Sequence, residues 1–272
     1  MRTNAWLVTV IVAACGGSSG GNGGDDASPA DARGEIPTTG NGSVFDPKIT
    51  SAVVEIDYES GQEPYTGPII GFGDTFDTTT NNIDRLFAHH KQLTIPRVTG
   101  DMQNVGAIAD EELTVADILA LASAHRDRHD SATTKTYYVI FVSGHFADAN
   151  GPNANVLGVS IGDTGVLAMF KDVIRSTDVL ALPNVVRYVE QSTLVHELGH
   201  AIGLVDNGVH VTSTHKDPAH GAHCTNDKCV MYYLNEGASD AAQFAQMYVV
   251  GGTSILFGAE CLGDVDALTG GP

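Results

Sequence analysis

Two histidines and one glutamate are spaced for metal-dependent hydrolysis. His196-Glu197-Leu198-Gly199-His200 lies in an apolar stretch with helical spacing. Residues four apart share one face of a helix, so His196 and His200 would direct two imidazoles at one ion. Glu197 would act as general base, taking a proton from a water whose pKa the metal lowers and passing it to the leaving amine. The motif therefore predicts a zinc-dependent hydrolase.

The same five residues could also belong to an ordinary helix with two packed histidines. Three features favour a metal site instead. The flanking residues are apolar, so the imidazoles would be partly buried. Gly203 follows His200 by three residues and can adopt a positive φ that ends the helix and turns the chain back. Further histidines then follow at positions 210, 215, 220 and 223.

The elements that must position this motif alternate between strands and helices. Strands are predicted at 51–58, 94–98, 137–143, 155–161 and 166–170, and helices at 74–92, 114–129 and 185–204. Thr114 and Asp117 form a capping box at the start of the second helix. After the third helix the chain becomes polar and Gly-rich, with short ordered pieces. The order predicts an α/β (α+β) fold with an irregular C-terminal third.

A longer pattern resembles a known family. The segment HELGHAIG, followed by His223-Cys224 and by Cys229-Val230-Met231, resembles the metzincin zinc peptidases. Its closest likeness is to archaemetzincins, whose pattern is HExxHxxGxxHCx4CxM, over roughly residues 137–233. The resemblance implies a zincin of two subdomains that meet near Gly203, with a twisted mixed sheet, an active-site helix and an irregular C-terminal subdomain. It further implies Zn²⁺, hydrolysis of peptide bonds, an apolar floor at the Met-turn residue Met231, and a cleft edge at 156–161 that pairs with extended substrate.

The third metal ligand is where the sequence departs from the family pattern. The position three residues after Gly203 is Asp206, and the His-Cys pair is delayed by 17 residues. His223 is favoured as the ligand because it keeps its place relative to Cys224 and Met231. Asp206 is the main alternative, since some metzincins of the snapalysin type use an aspartate there. The remaining alternatives are His220 and His215.

Other residues near the motif carry weaker predictions. A disulfide between Cys224 and Cys229 is expected outside the cytoplasm, with pairing of Cys261 to one of them or a residual structural zinc site as alternatives. The second CxxC of archaemetzincins is missing. Tyr233 stands two residues after Met231, where astacin-like metzincins place a tyrosine that stabilises the oxyanion. A packed aromatic beside the floor explains Tyr233 equally well.

The N-terminal region predicts export and a lipid tether. Residues 1–15 combine Arg2 with a short apolar run and end in Val-Ala-Ala-Cys, which resembles a bacterial lipobox with lipidation at Cys15. Residues 16–43 are rich in Gly, Ser and Asp and predict a flexible leash, followed by a catalytic domain at 44–272. An ordinary cleaved signal peptide is the alternative. The expected location is the bacterial cell envelope, lipid-anchored at the outer membrane or cell surface, or secreted.

The charge balance limits the range of partners. The formal net charge is −19, from 14 basic and 33 acidic residues, which argues against binding a nucleic-acid backbone. The predicted partners are a peptide or protein substrate and, through the lipid alone, a membrane, for a monomeric enzyme. Two other functions stay open. One is a lipid-anchored zinc hydrolase that is not a peptidase, such as a cell-wall amidase, and the other is an inactive binding module.

Overall fold

The computed structural model describes residues 36–69, 73–87, 91–178, 184–251 and 255–270. Cys15, the predicted signal peptide and the first part of the predicted leash lie outside these ranges. The strands are β1 (Ser51–Tyr58), β2 (Pro68–Ile69), β3 (Gly73–Asp74), β4 (Gln92–Thr94), β5 (Gln103–Asn104), β6 (Glu112–Leu113), β7 (Thr134–Val142), β8 (His145–Asp148), β9 (Gly151–Asn153), β10 (Gly158–Ser160) and β11 (Val166–Phe170). The helices are α1 (Asp77–Leu86), α2 (Val115–His125), α3 (Lys171–Ser176), α4 (Val185–Ile202), α5 (Ala238–Gly251) and α6 (Ala259–Thr269). Among the described helices, none has the length and apolar character needed to span a membrane.

A mixed sheet forms the centre of the fold. Its strand order is β10-β11-β7-β1-β4. β4 pairs with the first residues of β1, and the short strand β5 pairs with its last two, Asp57 and Tyr58. β1 and β7 run parallel over eight residue pairs, from Ser51 opposite Thr134 to Tyr58 opposite Phe141. The apolar run at 137–142 is fully buried, as expected for a strand covered on both faces. The outermost strand, β10, is antiparallel to β11. The predicted α/β class with a mixed sheet is confirmed.

The helix that carries His196 and His200 lies across one face of this sheet. α4 packs against β10 and β11 on one side and against α1 and α5 on the other, which leaves 15 of its residues buried. Gly203 ends the helix with φ 107°, and its N–H donates to the carbonyl oxygens of Gly199 and His200. Val205 and Asp206 continue the turn with φ of 55° and 63°, unusual values for residues that carry a Cβ.

The second and third predicted helices match α2 and α4 to within four residues at each end. The first, predicted at 74–92, covers only Asp77–Leu86, and Gln92 already belongs to β4. The C-terminal third holds more helix than expected. The capping box between Thr114 and Asp117 is present at the start of α2. The third predicted helix begins at Val185 as expected and ends at Ile202. α5 and α6 together cover 25 residues of a region for which only short ordered pieces were predicted. The segment between α4 and the 3-10 helix Tyr233–Glu236 is irregular.

The packed part of the chain begins earlier than predicted. Gly42 was assigned to the leash, yet its N–H donates to the carbonyl oxygen of Ile202 at 2.8 Å. The Asn41 side chain donates to the carbonyl oxygen of Gly162 at 3.1 Å. Gly42 can approach so closely because it lacks a side chain and adopts φ 83°. Residues 36–43 therefore belong to the folded body, and the boundary predicted at residue 43 was too late.

Candidate metal centre

Three imidazoles converge at the C-terminal half of α4. His196 and His200 lie one turn apart with their Nε2 atoms 3.0 Å from each other. The His223 ring, which comes from the chain after the helix, lies 5.3 Å from the His196 ring and 4.8 Å from the His200 ring between centroids. One ligand atom from each histidine and one from Glu236 all lie within 4.8 Å of one another.

The surroundings prepare these rings to bind a metal. His196 Nδ1 donates to the carbonyl oxygen of Val230 at 2.6 Å, and His223 Nδ1 donates to that of His220 at 2.5 Å. Each ring therefore turns the lone pair of Nε2 toward the centre. Burial lowers the pKa of His200, and the neighbouring His196 and His223 lower it further, so its imidazole stays neutral. Neutral imidazoles are the form that coordinates zinc, and this set fits that ion.

His223 is held at the centre by the backbone contacts of His223 and Cys224. Its carbonyl oxygen accepts from the N–H of Asp217 at 2.7 Å. The next residue, Cys224, donates its N–H to the carbonyl oxygen of Met231 at 2.8 Å and pairs with Tyr232. The His223-Cys224 dipeptide is thus held against the chain that carries Met231, although 17 residues separate it from its expected position.

The other candidates for the third ligand lie elsewhere. Asp206 forms an ion pair with Lys216 at 2.7 Å, and its second oxygen lies 3.2 Å from His210. His220 lies 2.7 Å from the carboxylate of Asp217. His215 belongs to a separate cluster of thiols, described below.

Met231 lies directly under the helix that bears the histidines. It is fully buried, and a Cβ placed on Gly199 would lie 2.4 Å from its Sδ atom. Gly199, the fourth residue of the motif, is therefore required by close packing and not by its backbone angles. Val230, which accepts from His196, immediately precedes this methionine. The carbonyl oxygen that orients His196 and the methionine beneath α4 thus belong to adjacent residues.

Glu197 is buried beside the three rings. Its side chain is almost fully enclosed, and it accepts a hydrogen bond from the backbone N–H of Ser160 in β10. Burial raises the pKa of this carboxyl well above its usual range, and the negative charge of Glu236 raises it further. β10 passes so close that a Cβ on Gly158 would lie 3.1 Å from Glu197 Cγ. The carboxylate therefore stands between the histidines and the outermost strand.

Two residues that follow Met231 in the chain, Tyr233 and Glu236, make contacts that the sequence did not predict. The Tyr233 ring stacks on His220 with centroids 3.6 Å apart and planes within 3°, so its proposed oxyanion role stays a prediction. Glu236 was not singled out from the sequence, yet its Oε1 lies 2.9 Å from His223 Nε2. An isolated glutamate five residues after Met231 matches no motif. Only the geometry of the 3-10 helix Tyr233–Glu236 directs it to the centre.

The predicted disulfide between Cys224 and Cys229 is not formed. Both thiols are free and buried, as is Cys261. Cys229 Sγ lies 3.6 Å from Cys261 Sγ, whereas a disulfide bond is about 2.05 Å long. Hydrogen bonds from Cys229 and Cys261 lower the pKa of Cys224 to about 3. The three thiols therefore lie together as free, buried side chains.

An imidazole completes this thiol cluster. His215 Nε2 lies 3.8 Å from Cys261 Sγ, and the ligand atoms of His215, Cys224 and Cys261 lie within 4.8 Å of one another. Asp264 Oδ2 lies 3.1 Å from the same nitrogen and is a buried atom with no hydrogen-bond partner. Soft thiolates, an imidazole and an unsatisfied carboxylate oxygen suit a zinc ion. His215 comes from the segment between Asp206 and His223.

Comparisons with known proteins give distant likenesses only. No protein-family model and no curated protein matches the chain. A zinc-dependent peptidase from Methanocorpusculum labreanum superposes with a TM-score of 0.43 at 12% identity, over 78% of this chain and 99% of that one. An archaemetzincin from Methanopyrus kandleri superposes with a TM-score of 0.42 at 13% identity, over 81% and 96%. Likeness at this level does not decide what this chain binds or cleaves.

Proposed function

We propose that the chain is a zinc-dependent endopeptidase of the metzincin type. The observation that carries the proposal is the convergence of three imidazole nitrogens beside a buried glutamate and an outermost strand. A structural zinc site alone has no use for a buried carboxylate next to its ligands. The arrangement matches the division between metal ligands and general base that hydrolysis of an amide requires.

Each residue of the centre has a separate role in this proposal. His196, His200 and His223 would hold the zinc ion. Once bound, zinc supplies Lewis acidity, which polarises the scissile carbonyl and lowers the pKa of the attacking water. Glu197 takes the proton from that water and delivers it to the leaving nitrogen. The raised pKa of Glu197 suits the first of these steps, because a carboxylate with a higher pKa is a stronger base toward the proton of the water.

The substrate in this proposal is an extended peptide. β10 is the outermost strand of the six-stranded sheet and runs past Glu197. A strand edge offers backbone N–H and C=O groups to which an extended chain can add as a further strand. Pairing along β10 would bring a peptide bond of the substrate next to the carboxylate of Glu197.

The test compares Glu197→Gln with Glu111→Gln, a change at an exposed glutamate. We expect Glu197→Gln to keep its zinc and its fold while hydrolysis of casein falls by about 10²–10⁴-fold or more. Glu111→Gln should behave as wild type, and a chelator should abolish activity in both active proteins. Hydrolysis of cell-wall peptides but not casein would favour an amidase. No turnover of either substrate by the zinc-loaded wild type would favour a binding module.

We also propose that the enzyme is tethered to a bacterial envelope through a lipid on Cys15. The lipobox-like sequence supports this assignment, and residues 16–35 would form the leash. Metabolic labelling with a fatty acid should mark the wild type and not Cys15→Ser. An unlabelled wild type released fully into the medium would contradict the tether and favour an ordinary signal peptide. We expect the enzyme to be a monomer. We also expect that it does not bind nucleic acid, because its net charge is −19.

The thiol cluster supports a second zinc ion with a structural role. His215, Cys224 and Cys261, whose ligand atoms lie within 4.8 Å of one another, would supply three protein ligands. Cys229, whose Sγ lies 3.6 Å from that of Cys261, would supply the fourth and complete the number typical of structural sites. We expect about two zinc ions per chain in the wild type and about one in Cys261→Ser. Because Cys224 follows His223, loss of this ion should also weaken the catalytic centre. Two zinc ions retained by Cys261→Ser would refute the assignment.

A further inference from the structure

Glu236 lies among the three histidines without a role in the proposed hydrolysis. Its Oε1 atom is 2.9 Å from His223 Nε2 and 3.8 Å from His196 Nε2. All four candidate ligand atoms of the group lie within 4.8 Å of one another. A carboxylate at this distance from two imidazole nitrogens is either their hydrogen-bond acceptor or their companion on a shared cation.

The opposite side of each ring favours the shared cation. Both His196 and His223 already donate through Nδ1 to backbone carbonyl oxygens, so only Nε2 of each ring is left to face Glu236. Nε2 of His196 also lies 3.0 Å from Nε2 of His200, so three ring nitrogens and one carboxylate oxygen converge on the same point. Four converging donor atoms are the arrangement of a metal ligand set.

The backbone holds Glu236 in this place. The buried side chain of the preceding residue, Asn235, donates to the carbonyl oxygens of Cys229 and Val230 at 3.1 and 2.9 Å. The following residue, Gly237, forms a bridge with Val156 just before β10. Glu236 is thus fixed from both sides, between the floor and the sheet edge. Its side chain keeps 36% of its surface exposed, so it has room to rotate outward.

We propose that Glu236 is a fourth protein ligand that closes the metal centre in a resting state. This inference rests on the proposed zinc peptidase function. A catalytic zinc site needs a position that a substrate oxygen can occupy, and a fourth protein ligand fills it. The peptide carbonyl of a substrate, or another strong oxygen ligand, must displace Glu236 before hydrolysis. The bridge between Gly237 and Val156 lies at the sheet edge where the substrate would pair. An entering peptide would therefore break this bridge and displace Glu236 together.

The test measures ligand binding and needs no turnover. Acetohydroxamate, a small chelating probe that requires open metal positions, is titrated calorimetrically into zinc-loaded wild type, Glu236→Gln and Glu236→Asp. We expect both variants to bind the probe about tenfold more tightly than wild type, since they lack the competing ligand. Chelator competition should show that both variants hold the catalytic zinc about tenfold more weakly.

The aspartate variant separates coordination from charge. It keeps the negative charge but withdraws it by one carbon, so a ligand is lost while the field largely remains. If Glu236→Asp behaves as wild type, Glu236 acts by charge alone and the inference is overturned. Equal affinities in all three proteins would overturn it as well. A wild type that takes up no zinc at the histidines would instead overturn the proposed function.

Discussion

Gly199→Ala adds one methyl group to the most crowded contact of the centre. The new Cβ would lie 2.4 Å from Met231 Sδ and 3.2 Å from Met231 Cε, and Phe257 closes the third side at 3.4 Å. Met231 is fully buried, so its side chain cannot move into solvent. Either the methionine leaves its rotamer or α4 lifts from the floor, and both responses also shift Val230 and its hydrogen bond to His196.

The magnitude follows from two opposed effects. Replacing glycine by alanine within a helix stabilises it by about 1 kcal/mol. Inserting a methyl group into a packed core costs about 1–3 kcal/mol. We expect Gly199→Ala to lower the free energy of unfolding by about 0–2 kcal/mol, the difference between these effects. Met231→Ala should lower it by about 2–5 kcal/mol through the cavity it leaves. The double variant should be less destabilised than the sum, with a coupling of about 1–2 kcal/mol.

The assay is urea unfolding at a fixed excess of zinc, because bound metal adds to the apparent stability. Gly263→Ala is the matched control. It lies in helix α6, and a Cβ there would meet no atom within 4 Å. That variant should be more stable than wild type by about 1 kcal/mol. If Gly199→Ala is stabilised to the same extent, or if the two changes at the floor are additive, the packing argument is wrong.

Two further predictions concern buried charges away from the centre. Burial raises the pKa of Asp57 from 3.8 to about 6, so its charge destabilises the folded state increasingly from pH 4 to 6 and fully above pH 6. Asp57→Asn, which keeps an acceptor for Tyr138, should raise the free energy of unfolding by about 1–3 kcal/mol at pH 8 and by little at pH 4. An equal gain at both pH values in urea unfolding would contradict this. Lys171 forms a fully buried ion pair with Glu190. Lys171→Met alone should cost about 3–5 kcal/mol in urea unfolding, and adding Glu190→Gln should restore most of it; additive losses would refute the pairing argument.

Local chemistry made part of this structure predictable. The spacing of His196 and His200 fixes their common face on any helix, because helical geometry does not depend on the rest of the chain. The capping box at Thr114 likewise involves neighbours in sequence. The apolar run at 137–142 is short and rich in aromatic and β-branched residues, which favours a strand buried on both faces. In each case the information lies within a few residues.

Long-range geometry accounts for what sequence reasoning missed. His215 contacts Cys261, which is 46 residues away in the chain, and no local sequence pattern predicts that contact. The disulfide was expected because Cys224 and Cys229 are close in sequence, whereas the third thiol arrives from α6. Glu236 depends on a single turn of 3-10 helix for its direction. The helices α5 and α6 were missed because their polar and glycine-rich surroundings resemble loops.

The contact between Gly42 and Ile202 gives the N-terminal end a mechanical connection to the centre. Ile202 is two residues beyond His200, and its carbonyl oxygen accepts from Gly42 at 2.8 Å. A load applied to the preceding chain reaches the body within residues 36–43, where this hydrogen bond joins the chain to the end of α4. Tension on an N-terminal lipid anchor would therefore act on the end of α4, the helix that carries the candidate metal ligands His196 and His200. A protease that trims the chain past Gly42 would release the same carbonyl and loosen that end of α4.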